Sequence, residues 1–240
     1  MSINTQGRIV DIIQETHDTK TFTMRIGYAL DYQAGQYVIL KDDVSKDGKV
    51  QGVSRAYSIA NAPHGALALA GNVQITVKIE PHGLFSGHLD RVAVGHEMNV
   101  RGPFGKFLYA DQTDKPILLL GAGSGIVPLK CIIEHVIEAK LPVNVVLIDC
   151  NKTPADIIYK DLFDTYAKHD NIRIIHTLTR TDKADWTGRH GRIDAALIEK
   201  HCLDPDVYTY VCGPKEFVTA MMDILIGLGV PAEQALKEIY

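Results

Sequence analysis

Apolar and polar residues alternate over short distances through the first 110 residues. RIVDIIQ (8–14), KTFTMRI (20–26), QYVIL (36–40), RAYSIA (55–60), VQITVKIE (73–80) and EMNV (97–100) are short and rich in β-branched residues. Such runs predict strands, because a pleated strand turns successive side chains to opposite faces. Gly, Asn, Asp and Pro cluster between them, in YQAGQ, KDGKVQG, NAPHGALALAGN and RGPFG, and predict turns. One short helix is expected around LFSGHLDRV (84–92). The pattern favours a small antiparallel barrel.

The rhythm changes after ADQTDKP (110–116), a polar stretch that reads as a linker. Strands are predicted at ILLLGA (117–122), VNVVLID (143–149), IRIIHTLT (172–179) and VYTYVCG (207–213). Helices are predicted at PLKCIIEHVIEAK (128–140), ADIIYKDLFDTYAKH (155–169), RIDAALIEKH (192–201) and KEFVTAMMDILIGLG (215–229). Strands alternating with helices imply a parallel sheet covered on both faces. The expected architecture is therefore a β-barrel domain over 1–110 followed by an α/β domain over 111–240. The last ten residues, PAEQALKEIY, read as a short ordered element ending on an aromatic side chain.

Composition narrows the function classes. Of 240 residues, 46% are hydrophobic and 22% charged, ordinary for a globular chain able to bury a core. A net charge of −4 argues against nucleic acid as the partner. Cys131, Cys150, Cys202 and Cys212 form no C-x-x-C pair, and the ten histidines show no ligand spacing, so no metal site is expected. His17, His64 and His82 read as turn residues, His135 and His169 as helix-surface or helix-end residues. Cys131 and Cys150 read as core, and Met221 and Met222 as packing. No secretory signal and no apolar run of membrane-spanning length is apparent, so a cytoplasmic protein is expected.

Three stretches carry candidate chemistry. LLLGAGSGIVPL puts Gly121, Gly123, Ser124 and Gly125 between a buried strand and a helix. There a tight turn lets backbone N–H groups approach a diphosphate at the helix N-terminus. Pro128 suits the first helical turn, and Asp149 at the end of the next strand is a candidate partner for a ribose hydroxyl. The spacing is not that of the usual G-x-G-x-x-G fingerprint. In SRAYSIA, Arg55 and Tyr57 share one strand face and Ala56 and Ser58 the other; an arginine suits bidentate contact with phosphate. In VKIEPHGLFSGHL, Gly83 and Ser86 stand at G-x-x-S spacing where the short helix begins, a second anion-binding arrangement. Two nucleotide sites in one small chain point to electron transfer between two cofactors.

The motifs RAYS, VKIEPHGLFS, GPFGKF, GAGSGIVP, VCGP and EIY occur in an order and at spacings that resemble the ferredoxin–NADP reductase family over nearly the whole chain. The resemblance implies FAD on the barrel and NADP(H) or NAD(H) on the α/β domain. Carried over, Arg55 pairs with the FAD diphosphate, Ala56 and Tyr57 lie along the flavin, and Ser58 hydrogen-bonds near flavin N5. Val77 and Lys78 border the flavin, and Gly83, Leu84, Phe85 and Ser86 hold the diphosphate. Gly121, Gly123, Ser124 and Gly125 take the nicotinamide nucleotide, with Thr179, Arg180, Gly213 and Pro214 completing its site. Cys212 approaches the nicotinamide, Glu238 is the carboxylate near the active centre, and Tyr240 covers the flavin. Ser58, Cys212, Glu238 and Tyr240 are the candidate catalytic residues.

The resemblance has departures. There is no cysteine cluster of a fused ferredoxin-like extension, no cysteine-rich tail of a dihydroorotate dehydrogenase electron-transfer subunit, and no long adenine-clamping loop. Lys152, Arg180, Arg189 and Arg192 favour a 2′-phosphate and hence NADPH, whereas Asp149 favours NADH. The resulting reading is an FAD-dependent reductase that passes hydride from NAD(P)H to flavin and electrons to a ferredoxin, flavodoxin or similar acceptor. The alternative is a non-catalytic, nucleotide-binding docking or electron-transfer subunit of a larger redox complex.

Overall fold

The computed structural model describes residues 3–111, 114–182, 186–202 and 204–240. Gln112 and Thr113 of the expected linker lie outside the described residues. Two compact units result, Met1–Ala110 with Lys130–Glu138, and Asp111–Leu129 with Ala139–Tyr240.

The first unit holds six antiparallel strands: β1 (Ile3–Thr16), β2 (Thr19–Arg25), β3 (Tyr37–Lys46), β4 (Lys49–Ser58), β5 (Asn72–Lys78) and β6 (Glu97–Phe104). Their order is β4-β3-β6-β1-β2-β5. An Ile59–Ile75 bridge, with the Ala60 amide donating to Gln74 O at 2.8 Å, joins the two edges and closes the barrel. Closure matters because an open edge leaves a row of backbone groups unpaired.

The β3–β4 hairpin is longer than the alternation indicates, because the stretch KDGKVQG is mostly strand. Its turn is Asp47-Gly48, both with positive φ (52° and 75°). That is the two-residue geometry whose twist matches the paired strands. Two short helices lie wholly within the unit. The first, α1 (Ala66–Leu69), lies within a segment read as pure turn, and α2 (Leu84–Leu89) falls where the short helix is expected. Phe22, Met24, Val38, Leu40, Ile59, Val73, Ile75 and Val100 fill the barrel.

The second unit is a six-stranded parallel sheet. Its strands are β7 (Ile117–Ala122), β8 (Val145–Asn151), β9 (Ile172–Leu178), β10 (Arg189–His190), β11 (Tyr208–Gly213) and β12 (Ala235–Ile239). Their order is β10-β9-β8-β7-β11-β12. The run Ile117–Leu120 is fully buried, as befits a central parallel strand covered on both faces. Helix α3 (Ile126–Glu138) begins in this unit, its residues from Lys130 on grouping with the first unit, and the other helices are α4 (Lys160–Tyr166), α5 (Ala195–His201) and α6 (Lys215–Gly227). Leu118, Leu120, Ile148, Leu197, Val211, Met221 and Leu225 form one continuous core.

The helix expected over 155–169 is shorter than its sequence pattern. A 3-10 turn at Pro154–Asp156, closed by reciprocal Thr153–Asp156 hydrogen bonds, precedes Tyr159 in the left-handed region (φ 62°), and only then does α4 begin. The turn takes the backbone groups that would otherwise start the helix. Among the described residues, no helix is long and apolar enough to cross a membrane.

Candidate functional site

In the barrel unit, the end of β4 is unusually open. Only Val53 of this strand is buried, while Ser54, Arg55 and Ala56 are exposed and Tyr57 and Ser58 half-buried. A strand that merely covered a core would bury every second residue; this one leaves both faces accessible over Arg55–Ser58. Arg55 is exposed, with one guanidinium nitrogen donating to Ser54 O at 2.8 Å. Tyr57 stacks on Phe85 of α2, with centroids 6.1 Å apart and planes at 29°. Burial pushes the Tyr57 phenol up to about 12, with Arg55 acting the other way, so the hydroxyl keeps its proton at neutral pH.

Phe85 is itself buried and supports Tyr57 from below, and Leu84 is half-buried beside it. Gly83 precedes α2 and has no room for a side chain, since a Cβ there would lie 2.2 Å from the Ser86 Oγ. The Ser86 hydroxyl accepts from the Glu80 amide at 3.2 Å, which folds the 80–86 turn back on itself. Val77 is buried, so only its backbone is open to a ligand. Lys78 pairs with Asp18 at 2.7 Å. Burial raises the Asp18 pKa, but the Lys78 hydrogen bond and charge, with Thr19 and Thr16, outweigh it and leave the carboxyl below its ordinary value.

In the second unit, the strand order reverses at β7. Strands β8 and β9 lie to one side of it and β11 and β12 to the other. Open parallel sheets bind ligands beyond the carboxyl ends of their strands at such a switch point. Gly121 to Gly125 lie there. Gly125 abuts the end of β11: a Cβ would fall 2.2 Å from the Cys212 carbonyl oxygen and 2.7 Å from the Gly213 amide nitrogen. Gly213 has no space either, with Phe217 Cδ1 at 2.7 Å from a built Cβ, and the exposed Pro214 caps α6. Gly123 adopts φ +55°, a conformation that favours glycine. The turn leads into the thirteen-residue α3, whose N-terminus carries partial positive charge. Pro128 falls in its first turn, where no N–H is lost.

Tyr240 reaches the same place. Its hydroxyl donates to Ala122 O at 2.9 Å, and a Cβ on Gly123 would stand 3.0 Å from the Tyr240 hydroxyl oxygen. Parallel pairing of β12 with β11 brings it there, with Glu238 in register with Cys212. Cys212 is buried; burial above all, then the Glu238 charge, raises its thiol pKa and keeps it protonated. Gly121, Gly123, Ser124, Gly125, Cys212, Gly213, Glu238 and Tyr240 are thus gathered at one sheet end from three separate stretches. Thr179 and Arg180, both exposed, follow β9; the Thr179 hydroxyl donates to Asn151 O at 3.2 Å and the Arg180 amide to Lys152 O at 2.8 Å.

Three sequence expectations change. Asp149 does not face solvent as a ribose ligand. It is buried inside β8, and one oxygen accepts from Asn151 Nδ2 at 2.7 Å and pairs with His176 Nδ1 at 3.0 Å. His135, read as a surface or helix-end residue, is buried beside Tyr109. The histidines do contain a cluster, since His88 and His96 converge on Asp42. They stand eight residues apart with no recognisable ligand spacing, and only the placement of β3, α2 and β6 unites them. Cys131 and Met221 are core as read.

These features define a chain of two nucleotide-binding units, and comparison with known proteins agrees. The oxidoreductase FAD-binding domain profile matches residues 6–109, and the oxidoreductase NAD-binding domain profile matches 119–223. NADH-cytochrome b5 reductase 1 of Aspergillus clavatus is 30% identical over 214 residues, which cover 85% of this chain and 67% of the relative. Nitrate reductase [NADPH] of Emericella nidulans is 30% identical over 238 residues, covering 88% of this chain but only 27% of the relative. The FAD/NAD-binding domain of Vibrio cholerae nitric oxide dioxygenase shares the fold, with a TM-score of 0.87 at 21% identity and 98% coverage of both chains. The chain belongs to the ferredoxin–NADP reductase-like family and is an FAD- and NAD-binding oxidoreductase.

The residues present fit both cofactors. The β4 end leaves an arginine and an aromatic face open, and the Gly121–Gly125 turn carries only the small side chains of Ala122 and Ser124 at the N-terminus of α3, where backbone N–H groups suit a diphosphate.

Proposed function

We propose that the chain catalyses electron transfer from NAD(P)H through FAD to a one-electron redox protein. The convergence of Gly121–Gly125, Cys212, Gly213 and Tyr240 at the switch point of the parallel sheet is the observation that carries this reading. The bound cofactors supply the redox chemistry, a hydride accepted from reduced nicotinamide and electrons released singly. The protein binds, orients and excludes water.

On this reading Arg55 grips the FAD diphosphate with paired N–H donors, as a planar guanidinium does. Ala56 and Tyr57 present a flat wall, and Ser58 offers a hydroxyl at the strand end. Val77 contributes backbone and Lys78 charge, while Gly83, Leu84, Phe85 and Ser86 shape the turn beneath the diphosphate. The Gly121–Gly125 backbone and α3 receive the nicotinamide nucleotide, Gly213 and Pro214 form its far wall, and Thr179 and Arg180 bracket its ribose. Cys212 acts as a neutral thiol, not as a nucleophile. Glu238 supplies negative charge near the reacting centre, and Tyr240 swings off Ala122 O to admit the nicotinamide ring. Exposed Lys152, Arg180, Arg189 and Arg192, with Asp149 withdrawn into β8, favour NADPH over NADH.

Purified protein should be yellow and should bleach on anaerobic addition of NADPH. Colourless protein that FAD cannot reconstitute would refute the proposal. Stopped-flow reoxidation with cytochrome b5, ferredoxin and flavodoxin then ranks acceptors; the relatives' names favour a haem protein, and the family resemblance a ferredoxin or flavodoxin. A second reading, the reductase portion of a larger redox complex, is favoured by the 27% share of nitrate reductase that the chain spans. Yellow protein that neither nucleotide reduces would support a docking subunit instead.

A further inference from the structure

Beside α2, whose Phe85 ring lies 6.2 Å from that of His88, Asp42 occupies an odd position in the barrel. Along β3, Val38, Leu40 and Val44 are fully buried, and Asp42 falls in the same inward row. A carboxylate there costs free energy unless polar partners replace its water. Two imidazoles do so: His88 Nε2 lies 2.8 Å and His96 Nε2 2.5 Å from the same oxygen, Asp42 Oδ2. The two rings meet edge to face with centroids 5.7 Å apart. One ligand atom from each of the three residues lies within 4.8 Å of the other two.

The backbones beneath these side chains are fixed. Asp42 sits in the β3–β4 ladder opposite Val53, and its Oδ1 accepts the Asp43 amide at 2.8 Å. His88 is inside α2, which packs against β3. The His96 carbonyl accepts the Ile9 amide at 2.8 Å, and its own amide donates to Ala93 O. The side chains of Asp42, His88 and His96 keep 14%, 17% and 31% of their surface exposed, so small ions reach them from solvent.

We infer that Asp42, His88 and His96 form a site for a divalent transition-metal ion, zinc being the natural fit. Two imidazole nitrogens and one carboxylate oxygen, with water in the fourth position, are a donor set that zinc accepts at about 2.0–2.2 Å. Tetrahedral geometry at those lengths sets neighbouring donors roughly 3.3–3.5 Å apart. The present separations therefore need to open by only about 0.5–1 Å, which rotation about the histidine side-chain bonds supplies. A bound ion would give the half-buried carboxylate a partner that carries positive charge. The site is structural and ties α2 to β3 and to the start of β6. It takes no part in redox chemistry and does not depend on the nucleotide reading.

The test uses tag-free, chelator-treated full-length protein titrated with Zn²⁺ by calorimetry and with Co²⁺ by visible absorption. One equivalent of zinc should bind, Co²⁺ should give the visible bands of a low-symmetry nitrogen–oxygen site, and zinc at a hundredfold excess over Kd should raise Tm by roughly 5 °C or more. His96→Gln and Asp42→Asn should each weaken zinc binding by more than the 10- to 100-fold that loss of an outer-shell partner typically costs. Wild-type protein that binds no stoichiometric zinc, or variants that keep wild-type affinity, would overturn the assignment. Flavin content, read from the same samples, reports separately on the FAD site.

Discussion

Replacing Gly125 by alanine tests whether the glycine turn is built by contact with the end of β11. An added Cβ would stand 2.2 Å from Cys212 O, 2.5 Å from its carbonyl carbon and 2.7 Å from the Gly213 nitrogen. The first of these is 1.2 Å (3.4 − 2.2) inside the 3.4 Å at which contact becomes ordinary. All three atoms are backbone, and Cys212 is paired with Gly121 on one side and Glu238 on the other, so none can move aside cheaply. Overpacking in a dense interior costs about 1–3 kcal/mol, and the rigid partner puts Gly125→Ala near the top of that range. For a chain of this size that is a fall in Tm of roughly 6–12 °C.

The clash also pushes the turn away from Cys212, so NAD(P)H should bind more weakly while flavin content stays normal. Gly123→Ala is the internal control. It forces a left-handed alanine, costing about 1–2 kcal/mol, but its Cβ meets only the Tyr240 hydroxyl at 3.0 Å, the end of a movable side chain. Thermal unfolding and nucleotide titration of both variants give the comparison. If Gly125→Ala unfolds within about 2 °C of wild type and binds nucleotide normally, the packing argument fails.

Arg55→Ala should lose charge-assisted hydrogen bonds worth roughly 2–3 kcal/mol, about 30- to 150-fold in FAD affinity, with Tm of the flavin-free protein unchanged; equilibrium dialysis of flavin decides. Deleting Tyr240 removes the bond to Ala122 O and should shift the flavin spectrum and tighten nicotinamide nucleotide binding, and no change in either would show that the ring is not a gate. Asp18 has a folded pKa below its ordinary value of 3.8, so its pairing with Lys78 stabilises the barrel above that pH and is lost as pH falls through the folded value. Asp18→Asn should therefore lose less stability than wild type as acid titration takes the pH below 3.8. Cys212, buried and with its thiol pKa raised, should resist iodoacetamide in native protein and react after denaturation; rapid native labelling, read by mass spectrometry, would contradict its placement.

The sequence by itself determined the architecture and marked the stretches from which the candidate nucleotide sites are drawn. Strand periods of two before residue 110 and strand–helix alternation after 117 are local signals written by burial, and they produced the antiparallel barrel and the parallel sheet. The glycines at 121, 123 and 125 were legible because a strand-to-helix turn built on glycine leaves a local trace. Helix limits were less legible. The 155–169 pattern is periodic throughout, yet the Thr153–Asp156 bonds and left-handed Tyr159 delay α4 to Lys160. Asp149 reads as a strand-end acid, and only its register beside His176 on β9 reveals a buried pair. Tyr240 reaches Ala122 because β12 adds in parallel to β11, a pairing between segments far apart in the chain. The Asp42–His88–His96 cluster is the clearest case. Its members come from a strand, a short helix and a loop, 46 and 54 residues from Asp42. Residues so separated meet through tertiary packing, which acts in space and leaves no period in the sequence.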